Sequence, residues 1–414
     1  MSNHSTHKRR SRLHFAPRTA CVELIEDGTQ AVSLEELVGS RCPSLFSKYR
    51  PMRMLFNGHL QTVYSVLGDF RKVDELQYDR QLLRLLDGGT LGLDFTPSEA
   101  SELPKDAPII IVQHGLTGGS HEPYVRAVLA PALRLGFRAV VVNFRGYLRQ
   151  ALMYITDLYP LAPLLGLGFS IGGNVLVRYL AEEGRNSRIS AACILGCPWD
   201  IKTNNDSLLH STIGRHLYLR RMGENVMNIF RQNIDAFRAD PDHPTAKAIP
   251  EILRIKNPTL TDFDGIFTRS VGDIPPFPFK SVDDYYTWAS SHEIAQQIRV
   301  PCLTINAQDD PVVQRVQTPK QNEFVVSVLT RSGGHLGWFQ RGGRPGARWT
   351  TKPVLEWLEL FGRHVRLHPP QQTLSTDESG FIRDSEYPSL GCKRVPGGGL
   401  LKGHRSKNEL LQGL

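Results

Sequence analysis

The stretch LAPLLGLGFSIGGNVLVRYLAEE (161–183) decides how this chain is built. Its first half is apolar without alternation, as a strand buried on both faces of a sheet must be. From Gly173 to Glu183 apolar positions recur three or four apart, which predicts a helix. Between the two lies Gly168-Phe169-Ser170-Ile171-Gly172. Small residues two before and two after a serine relieve crowding in a sharp strand-to-helix turn, so the Ser170 hydroxyl would stand clear at the sheet edge. The start of that helix, with the Ile171 N–H, would favour a developing oxyanion beside it.

Outward from this stretch the same pattern repeats. APIIIVQHG (107–115), RAVVVNFRG (138–146), ISAACILGCP (189–198), VPCLTINAQDD (300–310) and EFVVSVLTRSGGH (323–335) are nearly continuous apolar runs that end in glycine or polar residues. Helical patterns at Glu122–Leu135, Leu148–Leu158 and Val354–Val365 fill gaps between them. The alternation predicts an α/β domain, a mostly parallel sheet with helices on both faces. LQYDRQLLRLLDGGTLGLDF (76–95) reads as antiparallel edge strands turning at Asp87-Gly88-Gly89. Asp200 to Arg299 is too long for one crossover and carries helical patterns at 213–237 and 281–298, so it reads as an inserted cap that would shape and dry a pocket. The expected organisation is an N-terminal extension over residues 1–50, core over 51–199 and 300–366, a helical cap insertion over 200–299, and a flexible Pro/Gly/Ser-rich tail over 367–414.

Composition narrows the function classes. With 414 residues, 40% apolar and 22% charged, the chain can bury a sizeable core, which excludes a miniature disulfide scaffold and wholesale disorder. Lys and Arg exceed Asp and Glu by 49 to 41, with cations crowded at Lys8, Arg9, Arg10 and Arg12. No zinc-finger spacing or basic-region heptad accompanies them, so they read as a solvated tail and no nucleic-acid partner is expected. Cys21, Cys42, Cys193, Cys197, Cys302 and Cys392 are scattered without C-x-x-C spacing. Reduced thiols, no metal site and a cytoplasmic compartment are the expectation. The N-terminus lacks the apolar segment of a secretory signal, and no run reaches the length of a membrane span. Peripheral contact with a membrane or lipid droplet is left open, since a modest apolar patch suffices for it.

Three further segments bring chemistry to the edge where Ser170 is expected. His114-Gly115-Leu116-Thr117-Gly118-Gly119 follows the run APIIIVQ, and its glycines would let the backbone approach a substrate carbonyl, with the Leu116 N–H as second oxyanion donor. A plain glycine-rich turn with His114 as a core side chain is the alternative. Ala307-Gln308-Asp309-Asp310-Pro311-Val312 would project a carboxylate at the same edge. Asp310 is preferred to Asp309 because the following Pro and apolar residues suit the acid turn, leaving the other Asp to hold the loop; Asp200 is an outside candidate. His335, in Ser332-Gly333-Gly334-His335-Leu336-Gly337-Trp338, has flanking glycines that would let the backbone aim the imidazole at Ser170. Its near-neutral pKa class suits a group that accepts and returns a proton. Ser170, Asp310 and His335 occur in the chain order Ser, Asp, His that the α/β-hydrolase arrangement uses.

Seven stretches together resemble the AB hydrolase 4 family of α/β-hydrolases: FNGHLQT (56–62), HGLTGGSHEPYVRA (114–127), VVVNFRG (140–146), LGLGFSIGGNVLVRYLAEEG (165–184), YYTWASS (285–291), INAQDDP (305–311) and SGGHLGW (332–338). The resemblance spans most of residues 50–366. It implies a serine esterase or lipase acting on a small-molecule acyl ester or lipid, of the medium-chain or glycerolipid kind. No metal or organic cofactor is required by such chemistry. Relatives that pass the acyl group to an alcohol imply an acyltransferase making ethyl esters as the alternative outcome. The chain departs from the family pattern after Arg145-Gly146, where relatives continue through a segment of small and polar residues and this chain runs directly into Tyr147-Leu148-Arg149-Gln150. That segment belongs at the active-site edge, which keeps a non-catalytic scaffold open as a third reading. Nothing in these residues sets an oligomeric state.

Overall fold

A computed structural model describes residues 12–25, 31–98, 103–143, 148–272, 276–366 and 373–403. The chain forms two compact units, one of Met1–Cys197, His292–Asp310 and Thr318–Leu414, the other of Pro198–Ser291 with Pro311–Gln317. The basic cluster Lys8, Arg9 and Arg10 and the connection at Gly146 lie outside the described residues.

The first unit is built on the apolar runs. Its strands are β1 (Arg12–His14), β2 (Cys21–Glu23), β3 (Ala31–Ser33), β4 (Gln77–Leu85), β5 (Thr90–Thr96), β6 (Ile109–Gln113), β7 (Arg138–Val142), β8 (Leu164–Phe169), β9 (Ile189–Leu195), β10 (Cys302–Ala307), β11 (Val325–Thr330), β12 (Leu374–Thr376), β13 (Ile382–Asp384) and β14 (Gly391–Lys402). Apart from the β2–β3 ribbon, they form one sheet in the order β1-β11-β10-β9-β8-β6-β7-β5-β4-β14-β13-β12. From β7 to β11 every neighbouring pair is parallel. Every residue of β6, β7, β8 and β10 is buried, which helices on both faces of the sheet account for. This is the α/β-hydrolase fold. The helices that matter below are α1 (Leu34–Arg41), α2 (Gly58–Leu67), α3 (Pro123–Arg134), α4 (Leu148–Leu158) and α5 (Ile171–Glu183). Parallel strands all end at one edge, so the segments after β6, β8, β10 and β11 gather there.

Both ends of this unit are more ordered than composition suggests. The expected extension over 1–50 contributes β1, which pairs antiparallel with β11, and α1, whose N-cap Ser33 accepts the Glu36 N–H while Leu34, Leu37 and Val38 enter the main core. A three-residue strand takes its register from its partner, so no pattern within it could announce it. The expected flexible tail contributes β12, β13 and β14, with β14 antiparallel to β4. Gly397, Gly398 and Gly399 all have positive φ, and the register slips between Val395 and Gly399. The glycine run is thus a bulge in a paired strand.

The second unit is helical. Its core is Met227, Phe230, Ile249, Ile252, Phe263 and Phe267, drawn from successive short helices. The expected insertion over 200–299 differs from it at its end: residues 292–299 go with the first unit, where the Asn322 amide donates to the carbonyls of Ala295 and Ile298. Among the described residues no helix is long and apolar enough to cross a membrane.

Candidate active site

Ser170 sits between β8 and α5 with φ 54° and ψ −125°, a left-handed backbone that costs a non-glycine residue about 1–3 kcal/mol. Its neighbours enforce that geometry. A Cβ at Gly172 would run into the carbonyl oxygens of Gln113 and His114, so only glycine lets the helix start so close to the end of β6. The Ser170 N–H donates to the Leu195 carbonyl at 2.9 Å, tying the turn to β9.

One predicted residue meets this hydroxyl, and a second meets the first. His335 Nε2 lies 2.8 Å from Ser170 Oγ, and His335 Nδ1 lies 2.8 Å from Asp310 Oδ2. The Asp310 side chain is fully buried, and the histidine side chain is 14% accessible, so the carboxylate is dry while the imidazole has one edge open. Asp309 faces elsewhere: its Oδ1 accepts the Gly334 N–H at 2.9 Å, and burial pushes its pKa up. The outside candidate Asp200 is occupied as an N-cap in the second unit, accepting the Thr203 N–H at 2.8 Å, the Thr203 hydroxyl at 2.6 Å and the Gln317 amide at 3.1 Å.

The glycine-rich segment after β6 also reaches this place. A Cβ added at Gly115 would stand 3.6 Å from Ser170 Cβ, which puts Leu116 one residue from the nucleophile. The Gly115 N–H donates to the Tyr124 hydroxyl at 3.0 Å, anchoring the segment to α3. His114 is buried beside it, with Nδ1 2.8 Å from the Gly115 carbonyl, and burial lowers its pKa to about 4, so it is neutral at ordinary pH. Ile171 opens α5 directly after Ser170. Among the described residues no group of three or more His, Cys, Asp or Glu side chains is placed to hold a metal ion. A cavity of about 310 Å³ elsewhere in the first unit, lined by Ser47, Arg134, Trp349 and Lys352 among others, includes none of the three residues.

The sequence reading named no role for FNGHLQT, yet α2 holds the histidine segment from beneath. Asn57 caps the helix by accepting the Leu60 N–H. Thr62 Oγ1 accepts the His335 N–H at 2.8 Å and donates to the Gly58 carbonyl at 2.8 Å. Gln61 Oε1 accepts the Phe339 N–H at 2.9 Å, and Ser65 Oγ donates to the Leu336 carbonyl at 3.2 Å. Gly58 lies so near Asp309 that a Cβ there would collide with its carbonyl oxygen. Arg348, buried and stacked 4.6 Å over the Phe339 ring, donates from Nε to the same Leu336 carbonyl at 3.2 Å. These bonds matter because Leu336 and Trp338 both have positive φ, which local preference alone would not sustain. The available signal was the spacing of polar residues at 61, 62 and 65, which the period of a helix puts on one face.

Curated relatives agree with this architecture. Protein abhd-3.2 of Caenorhabditis elegans is 30% identical over 361 residues, covering 81% of this chain and 90% of its own length. The chain belongs to the AB hydrolase family. The monoacylglycerol lipase of Saccharomyces cerevisiae is 28% identical, over 81% of this chain and 86% of that protein. The medium-chain fatty acid ethyl ester synthase/esterase 2 of the same yeast is 26% identical, over 85% and 95%. No family model matches the chain. As an AB hydrolase with relatives of this kind, the protein is a carboxylic ester hydrolase.

Proposed function

We propose that the protein hydrolyses medium-chain fatty acyl esters or monoacylglycerol-type lipids through a Ser170–His335–Asp310 triad and an acyl-enzyme. The observation that carries this reading is the pair of 2.8 Å contacts running from Ser170 Oγ through the two ring nitrogens of His335 to Asp310. His335 Nε2 takes the Ser170 proton as Oγ attacks the ester carbonyl. Buried Asp310 accepts the Nδ1–H bond, fixes the tautomer and stabilises the imidazolium. The N–H groups of Leu116 and Ile171 stabilise the oxyanion, helped by the start of α5. The imidazolium then protonates the departing alcohol, leaving the acyl group on Ser170. Water attacks this ester and gives its proton to His335, which returns that proton to Ser170 Oγ as the fatty acid leaves, restoring the free enzyme.

The naming of one relative as an ethyl ester synthase/esterase favours a second outcome, in which an alcohol intercepts the same acyl-enzyme. Product partition between free acid and ethyl ester, followed as ethanol rises, separates the two. The monoacylglycerol lipase relative supports the glycerolipid side of the proposal. Contact with a lipid surface and a cytoplasmic location belong to the same reading, supported for the latter by six cysteines scattered without C-x-x-C spacing. A fluorophosphonate probe tests the chemistry: it labels the wild type and not Ser170→Ala, and octanoyl esters turn over faster than acetyl esters. Equal labelling of Ser170→Ala, or none of folded wild type, overturns the proposal.

A further inference from the structure

The motif at 56–62 does more than hold the histidine segment, because α2 has a second face. Gly58, Gln61, Thr62 and Ser65 point inward and are buried. Leu60, Val63, Val66 and Leu67 occupy the opposite side, and Val66 and Leu67 are 71% and 77% exposed. Just before the helix, Met54 and Phe56 are 81% and 67% exposed. Single exposed apolar residues are ordinary, but six within fourteen positions, four of them on one helix face beside the exposed His59, are a concentration of the kind that marks an interface.

Charge selects the partner. Lys48, Arg50 and Arg53 precede the helix and Arg71 and Lys72 follow it, all exposed. Between 48 and 72 the lone carboxylate is Asp69, and both of its oxygens are engaged by Arg71. An apolar helix face with cations at both ends suits the boundary between acyl chains and anionic headgroups, where apolar side chains sink in and the cations meet phosphate and carboxylate. Arg71 is paired with Asp69, and Asp74 and Glu75 follow Lys72, so the cationic excess rests on Lys48, Arg50, Arg53 and Lys72; a second copy would set that same excess against itself, whereas an anionic surface meets it.

We propose that α2 and the turn before it form a docking surface for an anionic lipid bilayer. Because the inner face of the same helix bonds to His335 and abuts Asp309, docking brings the histidine segment to the surface where acyl esters lie. The docking is independent of the reaction proposed above, since vesicle binding is read without turnover.

The test uses the full chain and co-sedimentation with phosphatidylcholine vesicles, pure or mixed about 7:3 with phosphatidylserine. Wild type binds the mixed vesicles, binds pure phosphatidylcholine more weakly, and releases as salt rises. The double variant Val63→Glu/Leu67→Glu, both exposed positions, loses vesicle binding at least about tenfold. Its thermal midpoint and its turnover of a soluble acetyl ester stay as in wild type. The proposal is overturned if the variant sediments like wild type or wild type binds neither vesicle. A wild-type dimer in sedimentation equilibrium, dissociated by the same substitutions and indifferent to vesicles, also overturns it by assigning the patch to a second copy.

Discussion

The two sides of the candidate triad are held by different physics. On the nucleophile side, Ser170 is positioned by exclusion: main-chain atoms of β6 leave no room for a side chain at Gly172, and the strand and helix on either side are locked by apolar burial. On the proton-relay side, His335 and its neighbours follow an irregular path with left-handed residues, their N–H groups accepted by Thr62, Gln61 and Asp309 and the Leu336 carbonyl taking bonds from Ser65 and Arg348. Steric positioning tolerates no change of residue. Positioning by several hydrogen bonds is distributed, so removing one weakens it by degrees.

The largest predicted effect separates two adjacent carboxylates on the relay side. Asp310→Asn, which leaves shape intact but favours the wrong imidazole tautomer, lowers kcat by about 10⁴. Asp309→Asn keeps an oxygen for the Gly334 N–H and lowers it by no more than about tenfold. Steady-state turnover of a soluble ester reads both; the reverse order would exchange their roles. Next, Gly172→Ala drives a methyl into carbonyl oxygens that no rotamer change can move, and costs about 3 kcal/mol or more, read from the urea midpoint. A neutral result there would break the contrast between the two sides.

Thr62→Val is smaller. It leaves the His335 N–H without its acceptor, costs about 1–3 kcal/mol and lowers kcat with KM unchanged, while Thr62→Ser restores both. The smallest effect is expected at Ser65→Ala, because Arg348 still donates to the Leu336 carbonyl and the other bond lost, from Arg348 Nη2 to the Ser65 hydroxyl, is long at 3.3 Å: below about 1 kcal/mol. If Ser65→Ala proved as costly as Thr62→Val, the relay side would be a single cooperative network instead of separable bonds.

This contrast also explains what could be read from residue order. Where backbone geometry demands a residue type, the demand is visible: glycines flank Ser170 because nothing larger fits, and β6, β8 and β10 read as nearly continuous apolar runs because both faces are covered. Asp310 and Asp309 were harder to separate, since both end the same strand and only the direction of each side chain distinguishes them. Thr62 and Ser65 show no role in the sequence, because the groups they bond are main-chain atoms that any residue at 335 or 336 would offer. β1 and β14 look like parts of tails in the sequence for a related reason. A three-residue strand carries no period of its own, and three glycines look like a linker until a neighbouring strand pairs across them.

The most direct measurement of the central claim is the mass of the acyl-enzyme. Mixing the full chain with p-nitrophenyl octanoate and quenching in acid within the first turnover is predicted to give a burst of nitrophenol and an octanoyl adduct on the tryptic peptide containing Ser170. The adduct should be absent from His335→Ala. Steady turnover with the octanoyl group on another residue, or with no covalent adduct at any quench time, would contradict the account.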